Sequence, residues 1–209
     1  MEYIPKVVNK EMEKIYEYYQ NRAAIYKDKG LDFEAYRKFI FDKAASLEND
    51  ILELGTGTRY TTVFLAKEGY KLISIDTDEE ALKTTALRLA YDKVLSSVKF
   101  YIMDALNLEF GNGSFKSIIA VNLLHHVVEV EKLLLEADRV LSPGGRIIIS
   151  DFSKEGQEII DSVHKVEGRS HDYPVADKDR ICLFLKERGY KINKSENMGY
   201  WVVIAQKDA

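Results

Sequence analysis

Hydrophobic positions at the start of the chain follow a helical period. Apolar residues recur at three- and four-residue steps from Met12 to Tyr26, and again from Phe33 to Leu47. This spacing places apolar side chains on one face of a helix. The pattern therefore predicts two amphipathic helices, the first of which ends at Gly30.

From residue 50 onward the pattern changes to short apolar runs that alternate with helical segments. Five runs are typical of buried strands: DILELG, KLISID, VKFYIMD, SFKSIIAVN and RIIISDF. Helical patterns lie between them: TRYTTVFLAKEG, TDEEALKTTALRLAYD and EVEKLLLEADRVL. The second helix has a predicted N-cap at Thr77, with Glu80 at capping-box spacing. A further helix is predicted from Asp177 to Arg188, before two strands joined by a tight turn near Met198 and Gly199.

This alternation predicts an α/β fold, a Rossmann-like doubly wound sheet of seven strands with helices on both faces. Most strands are expected to be parallel. The link between the last two is too short for a crossover, so one C-terminal strand must run antiparallel. We expect a single domain over residues 1–209: a helical cap at 1–47, a core at 48–152, and a substrate-side segment with the C-terminal strands at 153–209.

Polar residues stand where the predicted strands end. In doubly wound sheets, ligands bind at the carboxyl ends of the strands, near the switch point. The residues expected at that edge are Glu53 to Gly57, Asp76, Asp104, Asn122 and Asp151.

The stretch ELGTGTRYTT, residues 53–62, has two glycines after a strand, which is typical of nucleotide-binding loops. It does not match the GxxxxGK[ST] phosphate loop. A dinucleotide fingerprint needs a third glycine where Tyr60 stands, which counts against a dinucleotide. Alone, the loop is also compatible with a tight turn that binds nothing.

Composition narrows the class of partner. The net charge is −4, with 46% hydrophobic and 31% charged residues, so we expect no nucleic-acid partner. No apolar run approaches the roughly 20 residues of a membrane span, and the N-terminus is too polar for a signal peptide. We therefore expect a cytoplasmic protein without membrane contact.

The single cysteine, Cys182, is predicted to be a core residue. The sequence carries no signal for an oligomeric state.

Five segments together resemble the class I S-adenosylmethionine-dependent methyltransferases, of the small-molecule methyltransferase-domain type. They are ILELGTGT, LISID, YIMDA, SFKSIIAVNLLHHV and VLSPGGRIIISDF, in the family's order over about residues 50 to 152. The resemblance implies S-adenosyl-L-methionine as the cofactor. It also implies an antiparallel seventh strand.

The resemblance further implies roles for single residues. In this resemblance the methionine part of the cofactor lies along Glu53 and the glycine loop. The ribose hydroxyls bind Asp76, the adenine lies at Asp104, and the sulfonium lies beside Asn122. In the N-terminal helix, Arg22 is expected to pair with the cofactor carboxylate, and Tyr19 or Tyr26 to wall the pocket. The full cofactor set is Arg22, Tyr26, Glu53, Gly55, Thr56, Gly57, Asp76, Thr77, Asp104, Ala105, Asn122 and Leu123. Arg59 stands where the family often has a third glycine, and we assign it no role.

The tetrapeptide NLLH follows the fourth strand. Family members that methylate nucleobase or glutamine amino groups often carry Asp/Asn-Pro-Pro-aromatic there, so NLLH favours a small-molecule substrate. His125 is the candidate base, and His126 a candidate substrate contact together with Tyr19.

The stretch VHKVEGRSHDYP, residues 163–174, leaves three interpretations open. A continuous helix would place His164, Glu167 and His171 on one face. In the first interpretation these residues lie at a solvated helix end. In the second they line a substrate pocket in which a histidine or Arg169 binds an anionic group. In the third they bind a metal ion.

The leading hypothesis is an enzyme that transfers a methyl group to a small-molecule substrate by in-line displacement. The alternatives are a cofactor-binding regulator without transfer activity, a methyltransferase acting on a protein or RNA, and a nicotinamide oxidoreductase.

Overall fold

The computed structural model describes residues 2–7, 9–45, 47–57, 60–166, 168, 175–197 and 199–208. The strands within these ranges are β1 Glu2–Tyr3, β2 Ile51–Leu54, β3 Leu72–Asp76, β4 Val98–Ile102, β5 Phe115–Val121, β6 Leu141–Phe152, β7 Lys191–Asn197 and β8 Tyr200–Gln206. The helices are α1 Asn9–Asp28, α2 Phe33–Ala44, α3 Tyr60–Lys67, α4 Glu79–Tyr91, α5 Val130–Val140, α6 Lys154–Val166 and α7 Lys178–Glu187.

The described strands form one sheet in the order β1-β4-β3-β2-β5-β6-β8-β7. Strands β4, β3, β2, β5 and β6 are parallel, and β8 runs antiparallel to β6. These pairings confirm the predicted doubly wound sheet and its antiparallel C-terminal strand. The predicted count of seven needs a correction to eight, because Glu2 and Tyr3 pair antiparallel with β4. Two residues are too few to show a strand period, so the sequence pattern did not reveal β1.

The order of the strands reverses at β2, which lies between β3 and β5. Leu54 and Ala120 are in register across β2 and β5, so the chain leaves both strands side by side at Gly55 and Asn122. This point is the topological switch point, where such sheets bind ligands. The fold therefore brings the glycine loop and the NLLH segment together.

Two apolar cores lie on the two faces of the sheet. One includes Tyr26 of α1, Phe33 of α2, Leu82 of α4 and Ile160 of α6. The other includes residues of α5 and α7, with Cys182 among them at 5% exposure. The prediction that Cys182 is a core residue is confirmed, and burial raises the pKa of its thiol.

Two local predictions change in the structure. Thr77 does not cap α4, because the cap is Asp78, whose carboxylate accepts from Glu80 N–H at 2.9 Å. Helix α6 ends at Val166, so no continuous helix carries His164 through to residue 171. The predicted cap of α7 at Asp177 is confirmed.

Several residues named from the sequence lie outside the described ranges, namely Arg59, Glu167, Arg169, His171 and Met198. Among the helices that are described, none is long and apolar enough to cross a membrane.

Candidate active site

Two cavities open at the carboxyl ends of the parallel strands. The first has a volume of about 370 Å³ and lies beside β3 and β4. Of the predicted site residues, it is lined by Gly55, Asp76, Thr77, Asp104, Ala105, Leu123 and His126. Residues predicted separately from four strand ends therefore share one crevice.

Gly55 leaves room for the opposite wall of this crevice. Its φ is +74°, a left-handed conformation that glycine adopts without strain. A Cβ atom built on Gly55 would lie 2.8 Å from Cδ1 of Leu123. A side chain at this position would push the Leu123 side chain out of its place in the cavity wall and would also be strained by the positive φ.

Asp76 forms hydrogen bonds to the glycine loop and to the N-cap residue of α4 beside the first cavity. Its Oδ2 accepts from Gly57 N–H at 2.8 Å, and its Oδ1 accepts from Asp78 N–H at 3.0 Å. Each carboxylate oxygen has a further lone pair, so Asp76 retains capacity for hydroxyl donors of a ligand. Asp104 lines the same cavity and accepts from Leu106 N–H at 2.8 Å.

Glu53 lies beneath the glycine loop and lines neither cavity described here. It is 2% exposed, and its Oε2 accepts from the hydroxyls of Thr62 at 2.6 Å and Ser74 at 2.7 Å. Ser74 also shares a 2.6 Å hydrogen bond with Thr56. Burial raises the pKa of Glu53 to about 7, opposed by the two hydroxyl donors and by the charge of Arg37. Glu53 thus holds the loop through a buried network.

The second cavity, of about 180 Å³, lies on the other side of the NLLH segment. Helices α1 and α6 form its roof. Its lining is Tyr19, Arg22, Tyr26, Phe33, Tyr60, Asn122, His125, His126, Phe152, Ile160 and His164. Within this lining, Arg22 donates to the Tyr26 hydroxyl at 2.8 Å. The walls are thus mainly aromatic, with polar groups at a few points.

Two further arginines flank Tyr60, which occupies the position of the third glycine in a dinucleotide fingerprint. The guanidinium carbons of Arg37 and Arg88 lie 5.5 and 5.2 Å from the centre of its ring. Arg37 is 2% exposed and Arg88 is 9% exposed. Neither forms an ion pair with an acidic residue in the described part of the chain. The region behind the second cavity is therefore electropositive, which suits an anionic ligand group.

A buried histidine–aspartate pair lies at the floor of the second cavity. Nδ1 of His125 is 2.6 Å from Oδ1 of Asp151, and the side chains are 2% and 1% exposed. The Asp151 carboxylate also accepts from the backbone N–H groups of His125 at 3.2 Å and Phe152 at 2.9 Å. The imidazole is therefore fixed in orientation.

Asn122 joins the two cavities. It has a φ of +54°, which turns the chain sharply after β5, and its N–H donates to Ser150 O at 2.8 Å. Asn122 lines the second cavity, whereas the adjacent Leu123 lines the first. The Oδ1 atom of Asn122 is buried and has no hydrogen-bond partner among the described residues. A polar acceptor thus stands where the two cavities meet.

The structure adds site residues that sequence reasoning did not assign. Asp151 was recognised as a strand end but received no role, because its contact with His125 spans 26 residues of chain. The sequence drew attention to Tyr60 only because it stands where a dinucleotide fingerprint has its third glycine. The hydrophobic Phe33, Phe152 and Ile160 carry no sequence signal that separates a cavity wall from the core.

The proposed metal alternative depends on Glu167 and His171, which lie outside the described residues. Within the described ranges there is no group of three or more His, Cys, Asp or Glu side chains suited to a metal ion. His164 lies on α6 and lines the second cavity.

Comparison with known proteins agrees with this architecture. Residues 52–149 match the family described as "Methyltransferase domain". A demethylmenaquinone methyltransferase of Clavibacter sepedonicus is 40% identical over 103 residues, which cover 49% of this chain and 41% of the relative. The aligned part thus spans less than half the length of that relative.

Solved structures show the same fold. A SAM-dependent methyltransferase from Methanosarcina mazei superposes with a TM-score of 0.64 at 18% identity, covering 80% of this chain and 96% of that one. A Haemonchus contortus phosphoethanolamine N-methyltransferase, solved with S-adenosylhomocysteine, gives a TM-score of 0.65 at 15% identity, covering 84% and 53%.

Residues 52–149, just under half of the chain, thus match a methyltransferase domain, and the fold and motif order agree with those of the class I S-adenosylmethionine-dependent methyltransferases that the sequence resembles. The residues present fit the family's cofactor, S-adenosyl-L-methionine. Carboxylates from two neighbouring strands line the first cavity, and the backbone of Gly55 forms part of its wall without a side chain.

Proposed function

We propose that this protein transfers a methyl group from S-adenosyl-L-methionine to a small-molecule acceptor. The observation that carries the proposal is the junction of the two cavities. The carboxylates of Asp76 and Asp104 among the apolar side chains of the first cavity suit a ribose and a purine, and the aromatic second cavity suits a compact acceptor. Adjacent residues, Asn122 and Leu123, line one cavity each, so two ligands would meet at this junction.

Each part of the cofactor has a proposed partner. The ribose hydroxyls would donate to Asp76, and the adenine would lie by Asp104 and Ala105, with Thr77 at the edge of the cavity. The methionine moiety would follow Gly55 and Gly57, above the network of Glu53 and Thr56. Arg22 and Tyr26 would receive the carboxylate. Bound there, the cofactor supplies an activated methyl group on a sulfonium.

The chain's own contribution is alignment and exclusion of water. Helices α1 and α6 cover the second cavity, and Tyr19 and Tyr26 of α1 are 6% and 3% exposed. His126 and His164 would contact the acceptor. In-line displacement needs the acceptor atom held beside the junction, and aromatic walls provide a rigid surface for this.

The similarity to a demethylmenaquinone methyltransferase supports an aromatic acceptor. The lining of the second cavity supports the same class, because Phe33, Tyr60 and Phe152 offer flat apolar faces. The cavity volume of about 180 Å³ would take one small ring system.

Calorimetry with S-adenosylhomocysteine, followed by incubation of cell extract with methyl-tritiated cofactor, tests the proposal. We expect binding, and label in the small-molecule fraction. Binding without any labelled product would instead indicate a regulator. Label in protein or RNA would indicate a macromolecular substrate. Binding of NADH but not of S-adenosylhomocysteine would indicate an oxidoreductase.

A further inference from the structure

We propose that the methyl acceptor carries a carboxylate, and that this group binds the Tyr60 hydroxyl in the second cavity, in the electric field of the buried Arg37 and Arg88. This inference rests on the proposed function and names its substrate class, a compact aromatic carboxylate. It is carried by two buried guanidinium groups without an acidic partner, by the contact of Tyr60 with both of them and with the cavity, and by the charge of the cofactor.

The two arginines are buried without a full set of hydrogen bonds. Arg37 is 2% exposed, and its Nε donates to Oγ1 of Thr61 at 3.3 Å. Its Nη1 atom, and the Nε and Nη1 atoms of Arg88, are buried with no hydrogen-bond partner in the described part of the chain. Arginine stays charged in proteins, and a buried charge without a partner is costly. Such groups are therefore more typical of a binding site than of a packed core.

Aromatic rings, rather than acidic groups, surround both guanidinium groups. The Cζ atom of Arg37 lies 5.4 Å from the ring centre of Phe33 and 5.5 Å from that of Tyr60. The Cζ atom of Arg88 lies 5.9 Å from the ring centre of Tyr19 and 5.2 Å from that of Tyr60. Cation–π contacts of this kind offset part of the cost of burial, but they leave the positive charge in place.

The nearest acidic groups compensate these charges incompletely. Within the described ranges, neither arginine forms an ion pair. Burial raises the pKa of Glu53 to about 7 against the opposing charge of Arg37, so this carboxyl is only about half ionised at neutral pH. Burial also lowers the pKa of Arg88, although the charge of Asp92 acts in the opposite direction. A net positive charge therefore remains around Tyr60.

Tyr60 brings this charge to the second cavity. Its side chain lines the cavity, whereas neither Arg37 nor Arg88 is among the described residues of the lining. Burial raises the pKa of Tyr60, and the charges of Arg88 and Arg37 oppose that rise, so both charges act at its hydroxyl. The hydroxyl donates to the backbone oxygen of Tyr19 at 3.5 Å, well beyond the usual length of about 2.7–2.8 Å. A carboxylate in the cavity would be a stronger acceptor for the same proton.

The cofactor adds to the positive charge instead of neutralising it. S-adenosyl-L-methionine carries a carboxylate, an ammonium and a sulfonium, so it is a net cation whose carboxylate is balanced by its own ammonium. An anionic group on the acceptor therefore remains to compensate Arg37 and Arg88. A carboxylate stabilised in this way is a weak nucleophile, so the methyl group is transferred to another atom of the acceptor. The stacked rings of Phe33 and Tyr60, with centres 4.6 Å apart, fit the aromatic part.

A matched pair of ligands tests the preference for charge. The probes are 4-hydroxybenzoate and 4-hydroxybenzamide, planar compounds of nearly equal size of which only the first is an anion at pH 7. Each is titrated by calorimetry into protein saturated with S-adenosylhomocysteine. We expect 4-hydroxybenzoate to bind at least about tenfold more tightly. Attraction to one charge roughly 9 Å away, at an effective dielectric constant of about 20, corresponds to a factor of about 10 to 20.

Substitutions assign the preference to named residues. R37M and R88M each remove one charge from a long side chain, and each should bring the affinity ratio several-fold closer to one. R88K keeps the charge and should keep most of the ratio. Y60F should weaken the binding of 4-hydroxybenzoate more than that of 4-hydroxybenzamide. The control R180M removes an exposed arginine, paired with Glu131 at 2.8 Å, and should leave the ratio unchanged.

Three results would overturn the inference. The first is a ratio of one or less in wild type. The second is a wild-type ratio that persists in R88M, the less buried of the two positions, which decides the test if R37M does not fold. The third is a loss of affinity for S-adenosylhomocysteine in R88M with the ratio unchanged, which would show that the arginine serves the cofactor carboxylate instead.

The labelled product gives an independent readout. Methyl-labelled small molecules from the cell extract are passed over an anion-exchange resin at neutral pH, through which the cationic cofactor flows unretained. We expect the labelled product to be retained and to elute with salt. A labelled product found only in the unretained fraction would contradict the inference. Absence of any labelled small molecule contradicts the proposed function instead, while the ratio of the two probes still decides the preference for an anion.

Discussion

The buried carboxyl of Glu53 predicts a pH-dependent stability that one substitution should remove. Burial raises its pKa from the usual 4.5 to about 7. Between these values the folded chain holds a proton that the unfolded chain has lost. Stability therefore falls as the pH rises from 4.5 to 7 and is then level. At about 1.4 kcal/mol per pH unit, the difference corresponds to about 3 kcal/mol.

The E53Q variant carries a neutral side chain at every pH, so it should lack this loss. Thermal unfolding of both proteins from pH 4.5 to 8 provides the measurement. For a chain of this size, about 3 kcal/mol corresponds to roughly 6–12 °C in Tm. We expect the Tm difference between wild type and E53Q to change by this amount across the range, in favour of E53Q at high pH.

The difference between the two proteins is the relevant quantity, because other carboxyl groups titrate in both. Their contributions cancel in the comparison. E68Q, at an exposed glutamate just after α3, is the matched control for loss of a carboxyl group and should parallel wild type. If wild type and E53Q keep a constant Tm difference from pH 4.5 to 8, the reasoning about Glu53 is wrong.

Three further substitutions test the cofactor site and the packing that holds it. We expect G55A to weaken the binding of S-adenosylhomocysteine, measured by calorimetry, because the added methyl group displaces the Leu123 side chain from the cavity wall. The control is G30A, which also has a positive φ but open space around it, and it should lose only about 1 kcal/mol of stability and keep its affinity. D76N should raise the Kd for S-adenosylhomocysteine about tenfold or more, whereas D78N, which keeps the helix cap, should not; equal effects would contradict the role of Asp76. G156A should lower the free energy of unfolding in urea by about 1–3 kcal/mol, because a Cβ atom would overlap a backbone oxygen of the β7–β8 turn.

The hydrophobic period was sufficient to predict most of the fold. Strands β2 to β8 and helices α1 to α5 and α7 lie where the pattern placed them, because burial on one face or both leaves a periodic record in the sequence. The exceptions are informative. A two-residue strand has no period, and the choice between Thr77 and Asp78 as cap depends on where the chain leaves Asp76.

The sequence alone also determined the class of site. Gly55, Asp76, Asp104 and Asn122 each follow a strand, and parallel strands bring their carboxyl ends to one edge, so their convergence needed only the topology. Which polar groups touch one another depended on tertiary packing. The 2.6 Å contact of His125 with Asp151, and the position of Arg37 and Arg88 around Tyr60, join segments far apart in the chain. No local pattern encodes such contacts, because they follow from how the sheet and its covering helices pack together.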